Sequence, residues 1–279
     1  MKLYPINTGL FKLDGGAMFG VVPKSLWKKT NPPDSNNMCS WAMRCLLIET
    51  EKKLILIDTG IGNKQSEKFF SHFHLHGNNN LIRSIKNHGF TKNDITDVIL
   101  THLHFDHCGG AVNQIQNEYH LAFPNANYWT NKKHWEWANN PNQREKASFL
   151  KENFIPIKEK NKLNFLDEGF FCDGIEIKFF HGHTDSQIIP FITTNNKTIV
   201  FCADLLPSTG HVPLPYVMGY DIRPLTTLIE KEKFLNEAIE KKYILFLEHD
   251  YYNECCSIIK INNKYSVEKK GKLIEFLNS

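Results

Sequence analysis

The sequence has no run of apolar residues approaching the roughly 20 needed to span a bilayer. Its first residues, Met1-Lys2-Leu3-Tyr4-Pro5-Ile6-Asn7, carry no long apolar h-region, so no secretory signal is visible and no membrane partner is expected. Cysteine occurs seven times (Cys39, Cys45, Cys108, Cys172, Cys202, Cys255 and Cys256) but never as a C-x-x-C pair. An odd number at irregular spacing argues against a disulfide framework and for a reducing compartment, so a cytoplasmic location is expected. Excess charge of one sign is also missing. The formal net charge is +3, arginine is scarce, and lysines are scattered as doublets such as Lys28-Lys29, Lys132-Lys133 and Lys269-Lys270. That dispersal reads as a solvated surface rather than a nucleic-acid track. Neither an internal repeat nor a low-complexity linker interrupts the 279 residues, so one continuous domain over 1–279 is expected. With 41% hydrophobic residues, that length can bury a core without staples.

What is present is an alternation of strand and helix signals. Met43 to Ile48 and Lys53 to Ile57 read as a hairpin, stopped by Asp58-Thr59-Gly60. Leu81, Ile82 and Ile85 mark a helix face ending at Gly89, and Ile95 to Leu100 is a buried strand. Asn131 to about Phe154 reads as helical, with Asn131 as N-cap. Strand signals resume at Gly174 to Phe180, Gln187 to Thr193 and Thr198 to Ala203. A helix over Glu230 to Lys242 and a strand over Tyr243 to Leu247 follow. This order predicts a layered α/β architecture.

Four residues suited to metal binding stand where predicted strands end: His102, His183, Asp204 and His249. Loops at strand ends let a rigid sheet aim several side chains at one point. The densest cluster is His102-Leu103-His104-Phe105-Asp106-His107. Neutral imidazole and carboxylate suit zinc, and also iron or manganese. Such a pattern arises by chance in on the order of one in a thousand chains of this composition.

The stretch from Thr101 through His107 to Cys108-Gly109-Gly110 resembles the central signature of the metallo-β-lactamase superfamily. Asp58-Thr59-Gly60, Gly182-His183-Thr184, Cys202-Ala203-Asp204 and Glu248-His249-Asp250 match its other motifs in order. The resemblance implies an αββα sandwich holding two divalent ions, expected to be Zn2+, with iron or manganese as alternatives. It implies a first site of His102, His104 and His183 and a second of Asp106, His107 and His249, with Asp204 bridging. Asp58 is implied to be structural or to support the ligands from outside, and not to be a ligand itself. Hydroxide bridging the ions would attack a small ester, lactone, thioester or phosphoester, with Asp106 and Asp204 as the catalytic carboxylates. Asp204 stands where β-lactamases commonly carry cysteine, and His107 where many carry arginine, which argues against antibiotic hydrolysis. Lactonases of this kind place a tyrosine shortly after the bridging aspartate. Here that stretch is Leu205-Leu206-Pro207, with Tyr216 and Tyr220 further on. A one-iron persulfide dioxygenase and a metal-dependent nuclease are the alternative activities. The expected partner is a small-molecule substrate and not nucleic acid.

Three further features stay outside the motifs. Gly15 to Pro23 reads as an edge strand or a hydrophobic wall, and Met18 to Val22 could equally be a homodimer contact. Trp129, Trp135 and Trp137 read as packing residues of an amphipathic helix, with lining of a pocket as the alternative. His72, His74 and His76 alternate as if on one face of an extended segment, read as a polar surface or lid rather than a metal site.

Overall fold

A computed structural model describes residues 1–278. They pack as two compact units, Met1–Leu10 with Met43–Asp167, and Phe11–Ala42 with the chain from Glu168 onward.

β1 (Lys2–Asp14) and β2 (Met38–Glu49), which belong to the first unit over 2–10 and 43–49, lie side by side with β3 (Leu54–Ile57) and β4 (Asp97–Ile99). A small separate hairpin follows, β5 (Val112–Ile115) and β6 (Glu118–Leu121). Then β7 (Asn127–Thr130) and β8 (Leu163–Phe165) complete a six-stranded sheet ordered β1-β2-β3-β4-β7-β8. The expected hairpin is β2–β3, antiparallel with Leu46 opposite Ile57, while β3, β4, β7 and β8 run parallel. Parallel interior strands are covered on both faces and read as unbroken apolar runs, as Leu54-Ile55-Leu56-Ile57 does. Because β3 and β4 are parallel neighbours, Asp58 and Thr101 emerge at the same edge of the sheet. Cys45, Leu47, Leu56, Val98, Tyr128 and Phe154 form part of the core of this unit. Each large apolar side chain so buried contributes roughly 1.5–3 kcal/mol.

The second unit holds β9 (Gly169–Cys172), β10 (Ile175–Phe180), β11 (Gln187–Thr194), β12 (Lys197–Phe201), β13 (Ile244–Phe246), β14 (Cys255–Ile261) and β15 (Lys264–Gly271). They form one sheet in the order β15-β14-β13-β12-β11-β10-β9. β10 and β12 are each antiparallel to β11, and β12 is parallel to β13. The C-terminal ends of β10, β12 and β13 therefore share one sheet edge, and His183, Asp204 and His249 follow those three ends. The hairpins turn at Asn195-Asn196 and Asn262-Asn263, where all four residues have positive φ. Asparagine tolerates that left-handed backbone, which two-residue hairpin turns require.

Several expectations are corrected. The helix opening at Asn131 runs only from Lys132 to Asn139; its cap is as expected, the Asn131 side chain accepting the His134 N–H. Pro141, two residues beyond, restricts Asn140 to non-helical backbone and ends the pattern. Residues Gly15–Phe19 are one short helix capped by Asp14, not an edge strand. His72 caps the helix Glu67–Ser71 and His74 has φ 44°, so the three histidines share no extended face. Trp129 lies on β7 and donates to Asp97, whereas Trp135 and Trp137 are on the helix. The hairpin β14–β15 was missed because Cys255 to Ile261 shows no clean alternation. No helix among the described residues is long and apolar enough to cross a membrane.

The second unit also buries His211. Its ring stacks on Phe19 at 4.4 Å, its Nδ1 accepts from Ser208 and its Nε2 donates to the Met18 carbonyl. Burial pushes its pKa down to about 3. The folded value lies below the unfolded one near 6.5, so the unfolded chain binds the extra proton. The stability this group contributes is complete above pH 6.5 and is lost as pH falls toward 3, by up to about 1.4 kcal/mol per pH unit. Denaturant titrations of metal-free protein should show this slope, and His211→Gln should lose one proton's worth of it.

Candidate metal centre

In the first unit, the end of β4 delivers Thr101 and His102 into a loop that becomes a one-turn helix, Phe105–Cys108. Asp58, completely buried and with φ 57°, organises it. One oxygen accepts the Thr101 N–H at 2.8 Å; the other accepts the Thr101 hydroxyl at 2.6 Å and faces His107 Nδ1 at 3.1 Å. The Thr101 oxygen has spent its proton on Asp58, so it accepts from His102 Nδ1, 3.1 Å away. Both rings are thereby set with hydrogen on Nδ1 and the lone pair on Nε2. The His102 ring lies 4.5 Å from that of His104 and 3.9 Å from that of His107. Gly109 and Gly110 are required by close approach: a Cβ on either would collide with the carbonyls of Ile61 and Thr59.

Two partners were not legible in the sequence. Glu145, 3% exposed, places Oε1 3.4 Å from His104 Nε2, while Oε2 accepts from Trp137 and Asn142. The carboxylate therefore lies beside the His104 ring in a buried position. His134 accepts the Leu103 N–H at 2.8 Å and steadies the loop between the two histidines. In sequence Glu145 is one charge in a polar helix-like run, and His134 one more residue of an amphipathic helix.

In the second unit, Asp204 stands between two rings. Its Oδ2 lies 3.1 Å from His183 Nε2 and its Oδ1 3.0 Å from His249 Nε2. His183 Nδ1 is held by Asp221 Oδ1 at 3.0 Å, and His249 Nδ1 by the Ala42 carbonyl at 2.7 Å. A carbonyl can only accept, so that bond uses the Nδ1 hydrogen of His249. Each Nε2 then meets the aspartate either as a doubly protonated ring or as a neutral donor sharing a cation with it. All three ligand candidates are at least nine-tenths buried, and burying imidazolium and carboxylate is costly. A donor set of neutral nitrogens around one carboxylate fits a divalent ion of the zinc type. His102, His104, Asp106, His107, His183, Asp204 and His249 are all among the buried residues able to hold a metal. His72, His74 and His76 belong to no such group among the described residues. Ala203, immediately before Asp204, has φ 39°, a strained value for a residue with a Cβ, and such strain clusters at functional turns.

The residues that hold the rings from outside therefore include Thr101 and Asp58, while the His183 ring is held by Asp221. Removing that acceptor with Asp221→Ala should weaken metal binding about 10–100-fold. Competition against a chromogenic chelator would measure it, with circular dichroism checking the fold.

A model of the Metallo-beta-lactamase superfamily matches residues 44–239. The chain belongs to this superfamily. Within the metallo-β-lactamase fold, it is similar to a probable metal-dependent hydrolase from Staphylococcus aureus, at 30% identity and TM-score 0.87, covering 97% of this chain and 96% of that one. It is 25% identical over 270 residues to the N-acyl homoserine lactonase AiiA of Bacillus thuringiensis subsp. kurstaki, covering 91% of this chain and 94% of that protein. The fold is shared with AidC, a dizinc quorum-quenching lactonase, at TM-score 0.79 and 23% identity over 95% and 92% of the two chains. The mixed sheets seen here are those of the metallo-β-lactamase fold.

Proposed function

We propose that this protein is a metal-dependent hydrolase with two ions, acting on a small ester or lactone with an apolar substituent. His102, His104 and His183 would hold one ion, Asp106, His107 and His249 the other, and Asp204 both. The observation that carries this reading is the placement of Asp204, one oxygen toward His183 and the other toward His249. A carboxylate with its oxygens aimed apart in this way can serve two ions at once.

When bound, the ions polarise a carbonyl and make water a nucleophile at neutral pH. The chain's own contributions are positional. Asp106, on the first turn of the Phe105–Cys108 helix and slightly open to solvent, orients the attacking water. Asp204 is the carboxylate able to carry a proton toward the leaving group. Asp58 with Thr101, Asp221 and the Ala42 carbonyl keep four imidazoles, His102, His107, His183 and His249, in their coordinating tautomers without taking part in bond changes. Beside Asp106, Phe105 packs on Phe69 and Phe73 at 5.3 and 4.7 Å, and all three are only half-buried. That partly open apolar surface supports a substrate with a hydrocarbon arm. The pairing of His107 Nδ1 with Asp58 and of His249 Nδ1 with the Ala42 carbonyl supports two ions over one, since it leaves the Nε2 of each ring on the side of a carboxylate, Asp106 and Asp204 respectively. The similarity to lactonases supports the ester or lactone class, and no nucleic-acid or membrane partner is proposed.

The test is a hydrolysis panel run on zinc- and manganese-loaded protein: aryl esters, γ- and δ-lactones of increasing chain length, thioesters and phosphotriesters. Turnover that needs metal and rises with acyl length is expected. Persulfide-dependent oxygen uptake with an untouched panel would overturn the proposal.

A further inference from the structure

The loop from Asp204 to Asp221 begins and ends on His183, because Asp204 faces its Nε2 and Asp221 holds its Nδ1. The middle of this loop has no regular structure beyond two short 3-10 turns. Its packing depends on Lys231. That side chain projects from the inner face of the helix Pro224–Glu240, alongside buried Thr227, Phe234 and Leu235, and is 1% exposed. Its ammonium donates to three carbonyls of one turn: Pro213 at 3.0 Å, Leu214 at 3.3 Å and Tyr216 at 2.8 Å. An ammonium has three N–H donors, and all three are used. No carboxylate of the described residues pairs with it.

A lysine in this position is unexpected on energetic grounds. A buried ammonium with no salt-bridge partner is expensive even though the Asp221 charge favours it, and a methionine would fill the same volume at lower cost. Burial indeed pulls the Lys231 pKa down to about 7. What the lysine provides is cohesion of a turn whose three carbonyls all point at one atom, which helix and sheet pairing cannot offer. The turn is then continued to the site by short links. Tyr216 N–H bonds back to Pro213, Gly219 N–H to Ala17, and Asp221 N–H to Met218.

We propose that Lys231 is a positioning residue: by gathering the Pro213, Leu214 and Tyr216 carbonyls it fixes the loop that carries Asp221, and with it the orientation of the His183 ring. The first part stands on contacts alone; the second rests on the metal-site reading above.

Hydrogen exchange on the whole protein tests the first part. In the wild type, amides 216–221 should be protected to the same degree as the Pro224–Glu240 helix, and free exchange there would overturn the proposal without any variant. In Lys231→Met, exchange across 213–221 should rise about tenfold or more, the effect of losing hydrogen bonds to a charged group. Phe234→Leu, on the same helix face, loses volume without touching the carbonyls and should leave that segment closer to wild type. A uniform rise in both variants, or no rise in Lys231→Met, would overturn the proposal. Cobalt(II) tests the second part: its visible bands should shift in Lys231→Met and not in Phe234→Leu. Unchanged bands would reduce Lys231 to a fold-holding residue and overturn its positioning role. If wild-type protein takes up no cobalt, the metal reading fails, and the exchange result still decides whether Lys231 fixes the loop.

Discussion

Asp204→Ala should abolish metal-dependent activity, lowering kcat/KM by at least about 10³-fold, and should cost the protein its metal. The expectation is scaled from residues one step removed: losing a partner of a ligand typically weakens binding 10–100-fold. Asp204 faces two rings directly, with one oxygen 3.1 Å from His183 and the other 3.0 Å from His249. Its loss removes the one carboxylate common to both positions, leaving His102, His104 and His183 without an anion and His107 and His249 with Asp106 alone. Activity and metal should disappear together, which elemental analysis after gel filtration would show. The fold should persist, because His183 and His249 keep Asp221 and the Ala42 carbonyl as partners. The variant should also melt at a lower temperature than metal-loaded wild type, with the difference vanishing once the wild type is stripped of metal. A metal-replete Asp204→Ala protein would contradict the assignment.

Asp58→Ala should destabilise the protein by about 3–5 kcal/mol, more than any substitution at a metal ligand in metal-free protein. Asp58 is fully buried and is the common acceptor for the Thr101 amide, the Thr101 hydroxyl and the His107 ring. Alanine leaves three donors without their acceptor, and its methyl group is disfavoured at φ 57°, where aspartate is better tolerated. Asp58→Asn keeps the shape and one acceptor oxygen, and should lose roughly half as much. Denaturant unfolding of metal-free protein would measure both. Equal stability of wild type and alanine variant would mean that Asp58 does not organise the loop.

These two residues also show where sequence reading is informative. The motif histidines and aspartates were legible as candidates because metal ligands must be particular residue types in a tight pattern, and the pattern survives without knowledge of the fold. Their placement after β4, β10, β12 and β13 was legible for a related reason: buried strands are short apolar runs, and the polar residue that ends each run is conspicuous. The residues that orient the rings were less accessible. Asp58 and Thr101 lie inside motifs, but Asp221 is 38 positions from His183, and Ala42 reaches His249 through a carbonyl that every residue possesses. Glu145 looks solvent-bound until Trp137 and Asn142 are seen to cover it. Tertiary contact decides such roles.

The same distinction explains the errors in the fold. Helical spacing over Asn131 to Phe154 was real only as far as Asn139, because Asn140-Pro141 breaks it locally. The apolar content of Gly15 to Pro23 suits an edge strand or a hydrophobic wall, but the Asp14 side chain caps a short helix over Gly15–Phe19 by accepting the Ala17 N–H. A capping aspartate followed by glycines was a signal available in the sequence. Lys231 gave no signal at all, since a lysine in an amphipathic helix is ordinarily solvated.

The central claim is that seven buried histidines and aspartates hold two metal ions. Elemental analysis of protein purified without chelator tests it most directly. The account predicts close to two divalent ions per chain, zinc foremost, falling below one in Asp204→Ala. A wild-type value of one iron, or of no metal under conditions where the fold is intact, would contradict it.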